Sequence, residues 1–320
     1  MSDPLDLFPG VPLIESPIFA TIIDRLDLTE DERRIAVDLN RKGFAAFDFP
    51  DPDLDERIAR IRGRYSERFG LDDSDSDGPK LPNEGRVQDG WQDDEDVRAI
   101  ACNARVIELL SKLWGRTAFP FQTLNFPVGT QQNPHTDTVH FSSVPERFMC
   151  GVWLAMEDID AGSGPLLYYP GSHRWPVLGN MIIGRRGWQS ELNSAQEPYE
   201  HAWAAMVAAN RAETETFLAR KGQALIWCAN LLHGGSPRTD LTKTRWSQVT
   251  HYYFDDCIYY TPAFSDEPIG RLALREIVDV ATGEPRPNCY FGNEVMPAKA
   301  RPDPTQKGWI PKLRGRLFRI

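Results

Sequence analysis

The chain holds six histidines, and two of them, His135 and His140, flank an aspartate in the run PHTDTVHF at residues 134–141. Imidazole nitrogens and carboxylate oxygens are both metal ligands. In an extended chain His135 and Asp137, two positions apart, project to the same side. His-x-Asp is common by chance, so the tripeptide alone reads equally well as a polar strand edge. A third metal-capable side chain, His233, closes the apolar run QALIWCANLL and precedes two glycines in NLLHGGSP. Two histidines and one carboxylate are the ligands of non-haem Fe(II) oxygenases, where they occupy one face of an octahedron. Zinc hydrolases use the same ligand types, so the set leaves the metal open.

Arg245 stands further on, in TKTRWSQVTHYYF. A charge in such an aromatic, β-branched run is rarely left without a partner. Buried there, a guanidinium can grip a dicarboxylate in a two-pronged fork. Ser247 shares its side of the chain and adds a hydroxyl. The run reads as a strand antiparallel to the one that ends at His233; a surface salt bridge is the plainer reading of Arg245. Among the other histidines, His140 has the opposite parity to Asp137 and either supports the ligands or faces substrate. His173, in PGSHRW, reads as structural, and His201 as a helix-surface residue. His251 is even-spaced from Arg245 and faces the interior or simply packs.

The elements that position these residues divide the chain. Helix signals come first. Thr29 and Glu32 make a capping box before a helix that Gly43 ends, and FAAFDF follows as a short strand. Leu54, Ile58, Ile61, Tyr65 and Phe69 form an apolar stripe at helical spacing, stopped by Gly70. LDDSDSDGPKLPNEG is a polar loop, and ARVIELLSKLWG is a third helix. From residue 119 the pattern turns to strands broken by Pro and Gly: FPFQTLNF, PHTDTVHF, ERFMCGVWLAMEDI, GPLLYYPGSH, then GQALIWCANLLHGG and TRWSQVTHYYFDD. Helices followed by many short strands point to a β-sandwich or jelly roll with helical support.

Composition narrows the function. The chain has 320 residues, 41% hydrophobic content and a formal charge of −10. That acidity argues against nucleic acid and anionic membrane surfaces as partners. The five cysteines are scattered and form no C-x-x-C pair, which argues against a disulfide framework or a zinc cluster. The acidic, Pro-broken N-terminus lacks the pattern of a signal peptide. No apolar run approaches the roughly 20 residues of a membrane span. A soluble, cytoplasmic protein is expected, acting on a small molecule, with homo-oligomerisation left open.

The stretches PHTD, VWLAMEDIDAGSGPLLYYPGSH, LLHGGSP and TRWS, between about residues 119 and 255, resemble the phytanoyl-CoA dioxygenase family of Fe(II)- and 2-oxoglutarate-dependent oxygenases. The resemblance implies a mainly β chain with supporting helices and a double-stranded β-helix core of jelly-roll, cupin-like form. It implies that His135, Asp137 and His233 bind Fe(II), and that Arg245 holds the distal carboxylate of 2-oxoglutarate with Ser247 assisting. Trp153, in CGVWLAMED, would line the cosubstrate pocket, and Gln122 would face it from the preceding strand. Arg238, in SPRTD, is the other arginine nearby and reads as part of an exposed turn. O2 is the second cosubstrate. Halogenases of the superfamily replace the carboxylate ligand with a small residue; Asp137 is present here, which favours oxygen insertion or desaturation. The alternatives are a non-iron cupin-like isomerase or hydrolase, which Arg245 argues against, and a non-catalytic jelly-roll ligand-binding protein, which three metal ligands argue against.

The whole chain, 1–320, is expected to form one oxygenase domain. It comprises helical support at 29–115, a jelly-roll core at 119–178 and 221–262, a helical insertion at 179–220 that serves as a lid or as decoration, and a Pro-rich basic tail at 281–320. The substrate is expected to be small and polar or anionic, met at the pocket mouth by Tyr168, Tyr169, Arg185, Arg186, Trp188 and Trp203.

Overall fold

The structure is a computed structural model that describes residues 3–71, 78–187 and 195–295. A turn of helix, α1 (Phe19–Ile22), precedes α2 (Glu30–Lys42). Thr29 Oγ1 accepts the Glu32 N–H at 3.2 Å and the Glu32 carboxylate accepts the Thr29 N–H at 2.8 Å, closing the capping box. Gly43 ends α2 with a φ of 87°, a left-handed conformation that suits glycine. Strand β1 (Phe44–Asp48) leads to α3 (Leu54–Phe69), whose whole apolar stripe is buried. After the two-residue strand β2 (Val87–Gln88) comes α4 (Glu95–Ala101), which the polar run DDEDVRAIA does not announce. Its stability comes from outside itself. Asp94 caps the N–H groups of Asp96 and Val97, and Arg64 and Arg60 of α3 grip Asp94 and Asp96 at 2.7 Å. Helix α5 (Ala104–Trp114) completes the support.

The strands β3 (Ala118–Phe126), β4 (Ser142–Val144), β5 (Met149–Ala155) and β6 (Leu166–Tyr168) come next. Helix α6 (Glu197–Asn210) separates them from β7 (Glu215–Phe217), β8 (Gln223–Cys228), β9 (His233–Gly235), β10 (Ser247–Phe254) and β11 (Ile258–Tyr260). A six-stranded sheet has the order β1-β8-β5-β10-β3-β2, and shorter sheets pair β7-β6-β9 and β11-β4. All these pairings are antiparallel.

The large sheet is covered on both faces, so β3, β5 and β10 are buried at every position. One face packs on the helices: Val152, Leu154, Ile226 and Tyr252 share a core with Leu39, Ile58, Ile61 and Leu110. The opposite face carries Trp153, Leu225, Trp227 and Val249, which share a second core with Leu124, Phe126 and Tyr168. That inner face, opposed by the short β6 and β9, is where a ligand can sit.

Two local expectations are corrected. PHTDTVHF is not a strand. His135 makes one isolated antiparallel bridge, to His233, and the chain then curls into a 3-10 turn, Asp137–Val139, where the N–H groups of His140 and Phe141 both donate to the Asp137 carbonyl. Nor is the Arg245 strand the neighbour of the His233 strand. β9 belongs to the short sheet, while β10 lies between β5 and β3 of the large one. The intervening residues cross between sheets, held where Thr239 and Asp240 donate to the Gly162 carbonyl.

All five cysteines are free, with Cys150, Cys228 and Cys257 buried. Among the described residues no helix is long and apolar enough to cross a membrane. The span 179–220 contains α6 and β7, and its residues 188–194, Trp188 included, lie outside the described residues. α6 is anchored by buried Tyr199 and Trp203, and the Tyr199 hydroxyl donates to Asn180 Oδ1 at 2.8 Å. Most of the 281–320 tail likewise lies outside the described residues.

Candidate metal centre

His135 and His233 meet because their backbones exchange both bridge hydrogen bonds, 2.8 and 2.9 Å, which sets their side chains next to each other. The 3-10 turn then swings Asp137 back toward the pair. One ligand atom from each of His135, Asp137 and His233 lies within 4.8 Å of the others. Each histidine Nε2 stands 3.9 Å from Asp137 Oδ1. The Nδ1 of His135 lies 2.9 Å from the Asn133 carbonyl, and that of His233 lies 2.9 Å from the Leu231 carbonyl. A carbonyl only accepts, so each Nδ1 carries the proton and each Nε2 turns a lone pair to the centre. Burial, then the neighbouring His233, hold the His135 imidazole down at about 3, neutral and ready to ligate at physiological pH.

Asp137 is aimed by residues on the inner face of the sheet. Trp227 Nε1 donates to Asp137 Oδ2 at 2.7 Å, leaving Oδ1 toward the histidines. His251 Nε2 lies 3.9 Å from the same Oδ2, and its Nδ1 is 3.0 Å from Gln122 Oε1. Burial alone would raise the Asp137 carboxyl. The imidazoles of His233, His251 and His135 and the Trp227 N–H instead bring it below its ordinary value.

Strand register explains this support. Trp227, Gly151, His251 and Gln122 are successive cross-strand neighbours across β8, β5, β10 and β3. The Trp227 indole lies over Gly151 so closely that a Cβ there would come within 2.1 Å of the ring. Gly151→Ala is therefore expected to push the indole off Asp137 and weaken metal binding about 10- to 100-fold, as losses of groups that orient a ligand do. A calorimetric Fe(II) or Mn(II) titration under anaerobic conditions reads this directly; unchanged affinity would show that Trp227 does not orient Asp137. Sequence reasoning missed Trp227 and Gly151. Trp227 sits in an apolar strand, where a Trp reads as core, and its only signal is its shared parity with inward-facing Leu225.

A second prediction concerns acid. Burial holds His251 and His173 at about 4, alongside His135 at about 3. Their folded values lie below the unfolded value near 6.5, so the stability they contribute is full above that pH and is lost as pH falls toward 4. Each contributes a slope of up to about 1.4 kcal/mol per pH unit in that window. The metal-free protein should thus show a markedly lower urea midpoint at about pH 5.5 than at about pH 7. A pH-independent midpoint would contradict neutral burial of these imidazoles.

The centre opens into a cavity of about 530 Å³. Of the residues singled out in the sequence, Gln122, Trp153 and Arg245 line it with the three ligands, and so do His140 and His251. Arg245 is 1% exposed, and its guanidinium sits over the Trp153 ring at 5.9 Å. Its Nη1 donates to the Gly164 carbonyl at 3.1 Å, but it has no carboxylate partner among the described residues. Burial and then the nearby Arg238 lower its pKa to about 10, still cationic at neutral pH. Arg245 Nε, Trp153 Nε1 and Ser247 Oγ are all buried without a hydrogen-bond partner. Ser247 shares the inward parity of Val249 and His251. A buried cation with orphaned donors beside it fits an anionic ligand. Arg238 is half-buried and already spends its Nη2 on the Lys80, Leu241 and Lys243 carbonyls, outside the cavity.

The expected mouth residues that the structure describes do not line the cavity. Tyr168 and Trp203 are buried in apolar clusters, and Tyr169 packs beside the second of these. Arg185 and Arg186 line a separate surface groove with Asp266 and Arg271. The cavity's described cations are Arg245, Arg86 and Arg275. Arg86 and Arg275 lie in loops far from the ligand motifs in sequence, and only the tertiary fold brings them in.

The sequence profile described as Phytanoyl-CoA dioxygenase (PhyH) matches residues 42–244, more than half of the chain. No curated protein matches it in sequence. Among solved structures, the epimerase SnoN in complex with Fe3+, alpha ketoglutarate and nogalamycin RO is 19% identical, with a TM-score of 0.52 over 78% of this chain and 95% of that one. EctD from S. alaskensis with 2-oxoglutarate and 5-hydroxyectoine is 17% identical, with a TM-score of 0.54 over 77% and 84%. The non-heme alpha ketoglutarate dependent carbocyclase SnoK from nogalamycin biosynthesis is 14% identical, with a TM-score of 0.52 over 85% and 95%. At these identities the likeness is one of fold. The antiparallel sheets enclosing the centre are a double-stranded β-helix of jelly-roll form.

Proposed function

The chain belongs to the phytanoyl-CoA dioxygenase family of Fe(II)- and 2-oxoglutarate-dependent oxygenases, and from that premise we propose that it hydroxylates an unactivated C–H bond of a small, polar molecule. The observation that carries the reading is the convergence of His135, Asp137 and His233 in a cavity that also holds a buried arginine with no ion-pair partner among the described residues. In this reading His135 Nε2, His233 Nε2 and Asp137 Oδ1 would hold Fe(II), beside the cavity that would receive the cosubstrate and substrate. When bound, iron and 2-oxoglutarate supply the oxidation: dioxygen and 2-oxoglutarate are consumed, succinate and CO2 leave, and one oxygen atom enters the substrate.

The protein's part is aim and exclusion of water. Arg245 takes the distal carboxylate of 2-oxoglutarate through its free guanidinium edge, with Ser247 Oγ and Trp153 Nε1 as further donors. Trp227 fixes the Asp137 carboxylate by donating to its Oδ2. Leu124, Phe126, Phe141 and Phe264 form apolar walls that keep bulk solvent from the reacting C–H bond. Asp137 itself fills the place a halide would need.

A labelled-oxygen experiment tests the proposal. Turnover under 18O2 with an extract of the source cells should yield a product that has gained one labelled oxygen atom. A product of unchanged oxygen content, formed with consumption of 2-oxoglutarate, would replace hydroxylation with another oxidation such as desaturation.

A further inference from the structure

We propose that the substrate is a small acid whose anionic oxygens, carboxylate or phosphate ester, are bound by Arg86 and Arg275 at the end of the cavity away from Arg245. This deepens the proposed function and rests on it for the identity of the reaction.

The cavity's charge is the first observation. The chain as a whole carries −10, yet the described cavity wall presents three arginines against one acid, Asp137. Two positive charges from Fe(II) are offset by Asp137 and the two carboxylates of 2-oxoglutarate, and Arg245 serves the latter. Among the described residues Arg86 and Arg275 are left without a counter-charge, which favours an anion as the remaining occupant.

Position is the second. Arg245 stands two residues before β10, and His251 lies within it, six residues further along the chain. Arg245 therefore marks one end of the trough. Arg275 marks the other: its Nη1 donates to Thr261 Oγ1 at 3.2 Å and reaches the His140 carbonyl at 3.5 Å, and its guanidinium stacks on Phe141 at 4.8 Å. Arg86 and Arg275 both act on the imidazoles of His140 and His251, whereas the cation near Arg245 is Arg238. His251 Nε2 lies 3.9 Å from Asp137 Oδ2, and Arg275 Nη1 reaches the carbonyl of His140, three residues after Asp137, so a molecule held by Arg86 and Arg275 has its body beside the metal site.

Availability is the third. Arg275 Nε is buried without a hydrogen-bond partner, and neither Arg275 nor Arg86 is ion-paired among the described residues. The Arg275 guanidinium lies over the Phe141 ring, and its Nη2 makes no hydrogen bond among the described residues, which leaves a charged donor for an anionic oxygen. Arg86, exposed just before β2, adds a second cation without closing the cavity.

The test uses the full chain with Fe(II) and 2-oxoglutarate. A small-molecule extract of the source cells is separated by ion exchange into anionic, neutral and cationic pools, and succinate release above that with 2-oxoglutarate alone is measured for each. The expected result is stimulation by the anionic pool only. Phosphatase treatment of that pool removes the stimulation if the group is a phosphate ester and leaves it if the group is a carboxylate. Arg86→Gln and Arg275→Gln should each raise the half-stimulating amount about tenfold or more, and Arg275→Lys, which keeps the charge but not the planar donor set, should recover only part of it. Thermal-shift protection by the anionic pool, lost in Arg86→Gln, gives a readout independent of turnover. Stimulation by the neutral or cationic pool, by no pool, or by the anionic pool equally in the glutamine variants would each overturn the proposal. Absence of any succinate release, with or without a pool, would instead mark failure of the oxygenase reading itself.

Discussion

Asp137→Ala should reduce succinate release to less than about a thousandth of the parent rate, because losing a metal's electrostatic work removes several kcal/mol of barrier lowering. His135→Ala and His233→Ala should do the same, since each supplies one of three converging ligand atoms. None should unfold the protein. The two hydrophobic cores lie on either side of the large sheet and do not include these residues. Asp137→Ala strands the Trp227 N–H at a cost of about 1–3 kcal/mol, but it also relieves the burial of a carboxylate. Succinate release, read beside the thermal midpoint, separates the two effects. Parent-like turnover by the Asp137 variant would remove it from the metal site.

Arg245→Ala should raise the KM for 2-oxoglutarate roughly 10- to 150-fold, the equivalent of a charge-assisted interaction of about 1.5–3 kcal/mol. The KM for substrate should move little, because Arg245 contacts Trp153 and Gly164, whereas Arg275 contacts His140, Thr261 and Phe141. The variant should stay folded, since it removes a fully buried charge that no carboxylate in the described structure compensates. Steady-state kinetics varying each substrate in turn decides it. An unchanged KM for 2-oxoglutarate would assign the carboxylate grip elsewhere.

Helices α2, α3 and α5 were legible because their signals are local. A capping box, a five-residue apolar stripe and terminal glycines act within a turn or two of chain, and the structure shows each in place. The strand series was legible from Pro and Gly breaks between β-branched and aromatic runs. Its partition into two sheets was not, because parity says which side a residue faces but not which strand lies beside it. That is why the Arg245 strand was paired wrongly with the His233 strand. The ligand types His135, Asp137 and His233 were visible as chemistry out of place in apolar or strand-like contexts. The curl that brings Asp137 to the histidines was not visible, since it follows from a single bridge and two bonds to the Asp137 carbonyl. Trp227 and Gly151 were hidden by their ordinariness in an apolar strand. Arg86 and Arg275 were hidden in polar loops, and the arginines chosen instead, Arg185 and Arg186, line a different surface groove.

The central claim is that this cavity couples 2-oxoglutarate to oxidation through iron held by His135, Asp137 and His233. The most direct measurement is the fate of 2-oxoglutarate labelled at its C1 carboxylate, incubated with the purified protein and either Fe(II) or Zn(II), in air or under nitrogen. Labelled CO2 and succinate should appear in equal amounts with Fe(II) in air, and in none of the other three conditions. Intact 2-oxoglutarate with Fe(II) in air, or equal release with Zn(II) under nitrogen, would contradict an iron-dependent oxygenase.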